Sequence, residues 1–245
     1  MSSPPFWRAL LDFFLPPKCP LCGSPLDPPS GERPCSSCLS QIRFFSSPLC
    51  PRCGIGFSSP SDPNHLCSRC LKGEWSFGQA RAVGPYEGRI REAISRFKFG
   101  GAAHLARPLG ALLAQCAGSE FPPSTVDLVI PVPLHPRRLR ERGFNQSLLL
   151  ARQVSRRQAI PLNFTALRRL RQTQPQTQLS AAERQKNVRG AFGVEVPEAV
   201  EGRKILLVDD VFTTGATVQE CTESLLDCGA QEVHVLTLAR VVASI

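Results

Sequence analysis

The chain has 245 residues, room for one large domain or a medium domain with a small one. Hydrophobic content of 42% and charged content of 20% are those of a folded globular protein and exclude a disordered or fibrous chain. A formal net charge of +9 favours anionic partners without specifying one, and eleven cysteines depart from ordinary composition.

In chain order, Phe6, Trp7, Leu10, Leu11, Phe13 and Phe14 form an apolar cluster interrupted by Arg8 and Asp12 and closed by Pro16-Pro17. A signal peptide would need an uninterrupted apolar run, and a membrane span about 20 apolar residues. The expectation is a short amphipathic helix with Ser3 as N-cap, no membrane span, and a cytoplasmic protein whose thiols stay reduced.

Eight cysteines then form four CxxC pairs, Cys19/Cys22, Cys35/Cys38, Cys50/Cys53 and Cys67/Cys70. CxxC on a tight turn aims two sulfurs at one centre, and two such knuckles complete a tetrahedral Zn²⁺ site. Twelve residues lie between Cys22 and Cys35 and thirteen between Cys53 and Cys67, enough for a small hairpin each. Gly23 and Gly54 follow the first pair of each set, so the segment is an internal repeat, a double zinc ribbon.

The sequential assignment makes Cys19, Cys22, Cys35 and Cys38 one structural zinc site and Cys50, Cys53, Cys67 and Cys70 the other; spacing alone leaves crossed pairing open. Eight thiolates remove eight charges and two Zn²⁺ restore four, leaving about +5. His65 reads as a surface histidine, and Cys116, Cys221 and Cys228 as small hydrophobes on helix faces. Trp75 and Phe77 mark the return to ordinary globular sequence. This divides the chain into residues 1–75, a helix plus double ribbon, and 76–245.

Ala80 to Tyr86 reads as a strand, followed from Gly88 by a basic helix with Ile90, Ala93, Ile94 and Phe97 inward. Lys98 sits beside Gly100-Gly101, as an anion contact or a solvated helix-end lysine. Leu105 to Cys116 is a second helix, and Val126 to Val132 a buried strand. The following PLHPRRLRERGFNQS is dense in Arg137, Arg138, Arg140 and Arg142, and arginine suits bidentate phosphate recognition. Gly143 permits close backbone approach, while Asn145 and Gln146 offer hydrogen bonds at the start of a helix over 147–157. Residues 168–192 are polar, a lid rather than a linker, with Ser180 and Glu183 as a capping box and Arg184 and Lys186 on one side.

The stretch KILLVDDVFTTGAT, Lys204 to Thr217, organises the rest. Ile205 to Val208 is a strand buried on both faces, and Asp209 and Asp210 sit where it should emerge. Thr213, Thr214, Gly215, Ala216 and Thr217 then open a helix whose stripe is Val218, Cys221, Leu225 and Cys228, ended by Gly229. Backbone N–H groups at such a junction suit a phosphate, and two carboxylates beside it suit sugar hydroxyls, so a ribose 5-phosphate fits. The pattern is neither GxGxxG nor GxxxxGK[ST]. Val233 to Leu238 adds another strand, and strands alternating with helices argue for a mostly parallel α/β sheet.

The stretch resembles the phosphoribosyl pyrophosphate (PRPP) motif of type I phosphoribosyltransferases. The resemblance implies that Asp209 and Asp210 bind the ribose, Thr213 to Thr217 the 5-phosphate, and Arg138, Arg142, Gly143, Asn145 and Gln146 the pyrophosphate. It also implies Mg²⁺ bound with PRPP, and Arg142, Arg184 and Lys186 stabilising the leaving group. RGFNQS, the polar lid and VDDVFTTGAT in this order, behind a double zinc ribbon, closely resemble the ComF (competence) family. That family implies a phosphoribosyltransferase-like domain tied to handling imported single-stranded DNA, with a helicase partner.

Two functions follow from these readings. One is transfer of a phosphoribosyl group to an acceptor the sequence does not encode, with Phe212 near its pocket. The other is a nucleic-acid-binding adaptor, in which Phe44, Phe45, Phe57 and Trp75 either stack bases or fill the ribbons.

Overall fold

A computed structural model describes residues 17–26, 34–57, 59, 63–173 and 181–242. The expected N-terminal helix and Ser180 lie outside them.

The main sheet has four parallel strands in the order β1-β6-β5-β2. These are β1 (Ala80–Pro85), β2 (Leu128–Pro131), β5 (Lys204–Phe212) and β6 (Glu232–Arg240). A separate antiparallel pair joins β3 (Leu167–Arg169) to β4 (Phe192–Val194). Helices α3 (Gly88–Phe99), α4 (Ala106–Glu120), α6 (Gln146–Gln158) and α8 (Ala216–Asp227) flank the sheet. The parallel sheet flanked by helices is the α/β architecture expected.

β5 is central, hydrogen-bonded to β6 on one side and β2 on the other, which is why Ile205 to Val208 are all apolar and fully buried. The period of two divides their work. Leu206 and Val208 join the core formed with α3, α4 and α6, while Ile205 and Leu207 join the core formed with α8. The cysteine clusters divide the same way. Cys19, Cys38, Leu21, Leu26 and Ile42 belong to the first core; Cys50, Cys53, Cys70, Trp75 and Phe77 belong to the second. The two ribbons therefore pack into the cores on opposite faces of one sheet.

Three elements differ from expectation. β5 does not stop at Val208 but runs through both aspartates to Phe212, paired with β6 along that length. The arginine-rich segment, for which no element was expected, forms helix α5 over Pro136–Arg142, with Pro136 at its first turn, His135 as N-cap, and Gly143 at φ +79° closing it. The polar segment 168–192 is bounded by the β3–β4 pair and carries helix α7 (Ala181–Val188) with Glu183 in its first turn; the expected capping box with Ser180 falls outside the described residues.

Gly229 ends α8 at φ +87°, as the C′ reading required. Cys221 is buried, while Cys116 and Cys228 are half-buried at the core edges. His65 is exposed and stacks on Phe57, ring centroids 3.8 Å apart. Trp75, 4% exposed, is a core residue and offers no face for stacking bases.

Candidate functional site

β5 delivers Asp209 and Asp210 at the carboxyl end of the sheet, where β2 delivers Val132 to Leu134 and α8 begins. Between them opens a cavity of about 640 Å³. Asp209, Asp210, Thr213, Gly215 and Thr217 line one side, Arg138, Arg142, Gln146 and Ser147 another, and Lys98 and Arg169 complete the ring. With Glu141 also at the wall, three carboxylates, four cations and a helix N-terminus therefore meet in one place.

The carboxylates are held. Asp209 Oδ1 accepts from Ser147 Oγ at 2.8 Å and from the backbone N–H of Asp210 at 2.9 Å. Asp210 Oδ1 lies 2.9 Å from Lys98 Nζ, with side chains only 10% and 19% exposed. Burial, helped by the charge of Asp210, pushes the Asp209 carboxyl up to about 7. Burial pulls the Lys98 ammonium down, but the paired Asp210 and nearby Asp209 outweigh it and hold the group above its ordinary value.

The cations are crowded. Arg142 is half-buried, its Nη1 donating to Gln146 Oε1 at 3.1 Å and its guanidinium 5.1 Å from the centre of the Phe99 ring. Burial lowers the Arg142 pKa and Arg138 lowers it further, against the pull of Asp210 and Asp209. Arg169 is likewise lowered by burial and by Arg138. Arg138, Arg142 and Arg169 repel one another across this side of the cavity, and an anion between them would relieve that repulsion.

Other predicted residues serve the scaffold. Asn145 caps α6, its Oδ1 accepting from the N–H groups of Ser147 and Leu148, while its Nδ2 donates to Val132 O. Gly143, Asn145, Thr214 and Ala216 are not among the lining residues. Thr214 Oγ1 accepts from Ala216 N at 3.4 Å, fixing the turn into α8. Lys186 is exposed on α7 and away from the cavity, and the Arg184 side chain lies outside the described residues.

Sequence reasoning gave Ser147 and Arg169 no role, and left Lys98 undecided. Ser147 had a usable signal in the asparagine cap two residues earlier, which fixes where its hydroxyl emerges. Arg169 had none, because its position depends on β3 pairing with β4.

Each cysteine set gathers its four Sγ atoms within 4.8 Å of one another, in the sequential pairing. Cys22–Cys35, Cys50–Cys70 and Cys53–Cys67 Sγ separations are 3.7, 3.5 and 3.6 Å, all far longer than a disulfide. Four sulfurs about 2.3 Å from a central Zn²⁺ stand about 3.8 Å apart, so both sets fit tetrahedral zinc. The backbone N–H groups of Cys35 and Cys67 point at Cys19 Sγ and Cys50 Sγ, as thiolate ligands require. No helix among the described residues is long and apolar enough to cross a membrane.

Comparison with known proteins finds relatives for both parts of the sequence. Residues 10–71 match a double zinc ribbon domain and residues 145–244 a phosphoribosyl transferase domain. A solved glutamine PRPP amidotransferase from B. subtilis, complexed with ADP and GMP, is 30% identical over 52% of this chain and 24% of its own, at a TM-score of 0.35. DNA utilization protein YhgH of Escherichia coli K12 is 36% identical over 74% of this chain and 81% of its own length. Competence protein F of Haemophilus influenzae is 35% identical over 84% of this chain and 90% of its own length. With that coverage, both domains in order and both cysteine clusters formed, the chain belongs to the competence protein F (ComF) family.

Proposed function

We propose that the cavity binds PRPP and supports transfer of its phosphoribosyl group. The observation that carries this reading is the convergence of Asp209 and Asp210, the Thr213–Thr217 turn and the Arg138–Arg142–Arg169 cations on one cavity at the carboxyl end of a parallel sheet. The 5-phosphate sits on the N-terminus of α8, where backbone N–H groups and the hydroxyls of Thr213 and Thr217 receive it. The ribose hydroxyls donate to the two aspartates. The pyrophosphate faces Arg138, Arg142 and Gln146, with Lys186 and Arg184 brought by the lid.

Mg²⁺, bound with PRPP, supplies charge neutralisation on the pyrophosphate, and the aspartates are the oxygen donors suited to it. As the bond from C1 to the pyrophosphate oxygen breaks, its electron pair leaves with pyrophosphate and the sugar becomes cationic. The two aspartates face that charge, and the arginines stabilise the departing anion. Phe99, 73% exposed at the cavity rim, offers an acceptor ring a stacking face. Reduced thiols fit the cytoplasm.

Calorimetry with PRPP and Mg²⁺ tests the reading. Binding by the wild-type chain and its loss in Asp209→Asn and Asp210→Asn is the expected outcome. Absence of binding by the wild-type chain sinks it, and binding without turnover on any nucleobase restricts it to a ligand-sensing site.

A second observation favours a nucleic-acid role alongside it. A groove of about 720 Å³ is lined by Lys18, Arg96, Arg107, Arg152 and Arg156, with no carboxylate lining it among the described residues. It suits a single-stranded phosphodiester backbone, consistent with relatives named for competence and DNA utilization. On this reading a helicase of the uptake machinery is the protein partner. Single-stranded DNA affinity should fall steeply with salt, and Arg152→Ala/Arg156→Ala should flatten that slope by about two. An unchanged slope removes the groove from the account.

A further inference from the structure

The second cysteine cluster and the Thr213–Thr217 turn are in direct contact, although more than 140 residues separate them in the chain. Gly215 has φ +86°, and a Cβ placed on it would overlap the ring of Trp75 and that of Phe212. Glycine is therefore required twice, by its backbone conformation and by the indole that lies against it. Trp75 follows the last ligand of the second set, Cys70, by five residues. Over its ring lies the guanidinium of Arg69, 4.2 Å from the centroid, from the short helix α2 (Ser68–Leu71), which follows Cys67 and contains Cys70. The same guanidinium donates from Nη1 to the carbonyl of Thr214 at 3.5 Å.

Two further links tie the same parts. Ser76 N donates to Gln219 Oε1 at 3.0 Å, and Gln219 Nε2 donates to Ser76 Oγ at 2.7 Å, joining the segment after Trp75 to the first turn of α8. Arg240, at the end of β6, donates to Cys53 O at 2.8 Å, reaches Cys53 Sγ at 3.7 Å, and lies 4.1 Å over Phe212. Phe212 in turn packs edge-on against Trp75 at 5.5 Å. The turn is thus clasped from behind by the metal-binding knuckle, with the cavity on its front. Trp75 does not line that cavity, so whatever it does for a ligand it does through Gly215.

We infer that Trp75 and Arg69 are positioning residues that hold the Thr213–Thr217 turn in its anion-ready shape, so that metal held by the second cysteine set and ligand held by the cavity are energetically coupled. The inference rests on the proposal that this turn receives a phosphate. Losing the metal frees the Cys67–Cys70 knuckle, withdraws the support behind Gly215, and lets the N–H groups at the start of α8 disperse. Coupling is reciprocal: a ligand on the turn must tighten metal binding by this set. The first set packs on the opposite face and is not part of the clasp.

The test uses the zinc-loaded full chain and ribose 5-phosphate as probe, since it engages the turn without the pyrophosphate. Arg69→Gln and Trp75→Ala should weaken its binding by calorimetry about tenfold, within the range of coupled sites, and Trp75→Phe should restore it to within about twofold. Arg69 and Trp75→Phe keep the test alive where Trp75→Ala fails to fold.

A second readout follows the cysteines and, in its variant arm, needs no ligand. Gly215→Ala forces Trp75 aside, and alkylation followed peptide by peptide should then modify Cys53, Cys67 and Cys70 several-fold faster than in wild type. Cys19, Cys22, Cys35 and Cys38 should be unaffected. In wild type, saturating ribose 5-phosphate should protect only the second set.

Unchanged affinity in both Arg69→Gln and Trp75→Ala overturns the inference. So does unchanged alkylation in Gly215→Ala. If the wild-type chain fails to bind ribose 5-phosphate, the phosphate assignment of the turn falls, and the alkylation arm still decides whether knuckle and turn are linked.

Discussion

Lys98 Nζ stands 2.9 Å from Asp210 Oδ1, and the pair lies almost wholly out of solvent. α3 brings the lysine and β5 the aspartate. The carboxylate thus faces the cavity already paired with a buried cation that lines the same cavity. This differs from a solvated helix-end lysine in its consequences.

Removing one member strands the other. Lys98→Met leaves Asp210 buried without its counter-ion and should cost about 3 kcal/mol, the low end of the range for a broken buried pair because Arg142 stays nearby. Asp210→Asn in the same background should recover most of it. Urea unfolding of the four members of this cycle measures the coupling, and an additive result would show that the pair is not formed in solution.

The Asp209 carboxyl sits at about 7 in the folded chain against about 3.9 when unfolded. Its folded value is raised, so between pH 4 and 7 the folded state holds the proton more tightly. The stability it contributes is complete below about pH 4 and is lost as pH rises through 7. Asp209→Asn, always neutral, should therefore be the more stable protein at pH 8, by up to about 4 kcal/mol, and lose that advantage as pH falls towards 4. Equal pH profiles for the two proteins, measured by thermal unfolding without metal or ligand in the cavity, would contradict the burial of this group.

Position on α5 separates arginines of the same motif. Arg142 lines the cavity beside Gln146 and Phe99, while Arg140 is exposed and outside it. Arg142→Gln should weaken PRPP binding by about 10²-fold, the loss expected of a desolvated charge-assisted contact. Arg140→Gln should leave it within about twofold. Calorimetry that ranks the two variants equally would assign the effect to net charge alone.

Arg240 is 5% exposed and lies against Cys53, where a bound Zn²⁺ with four thiolates carries excess negative charge. Arg240→Met should weaken zinc affinity of the second set about 10–100-fold, as loss of an outer-shell partner does, and leave the first set unchanged. Competition against a zinc chelator, with metal counted per chain, checks this. Equal release from both sets would mean that Arg240 serves packing only.

The reach of sequence reasoning here follows the range of the forces involved. A CxxC turn is local, so all eight ligands were legible; which knuckles share a metal was open, and folding decided it. The strand Ile205–Val208 was legible because burial on both faces demands a continuous apolar run. Its continuation to Phe212 was not, since Asp209 and Asp210 carry no strand signal of their own and are held extended because Asp209, Val211 and Phe212 pair with β6. Helix α5 was hidden for a related reason: four arginines suggest solvent, and only Pro136 and Gly143 bracket the turn that forms. Asn145 had two local uses open to it, cap and ligand contact, and capping is the one its side chain makes.

What the residue order determined was chemistry that neighbours in the chain can supply: thiol pairs on tight turns, adjacent carboxylates, and small hydroxylated residues leading into a helix. What only the tertiary structure decided was which distant groups face one another. Lys98 reaches Asp210 across 112 positions and Arg240 reaches Cys53 across 187, contacts that exist because packing in a sheet pays no regard to sequence distance. Trp75 behind Gly215 is of the same kind, an apolar ring placed by burial against the one residue without a side chain to resist it.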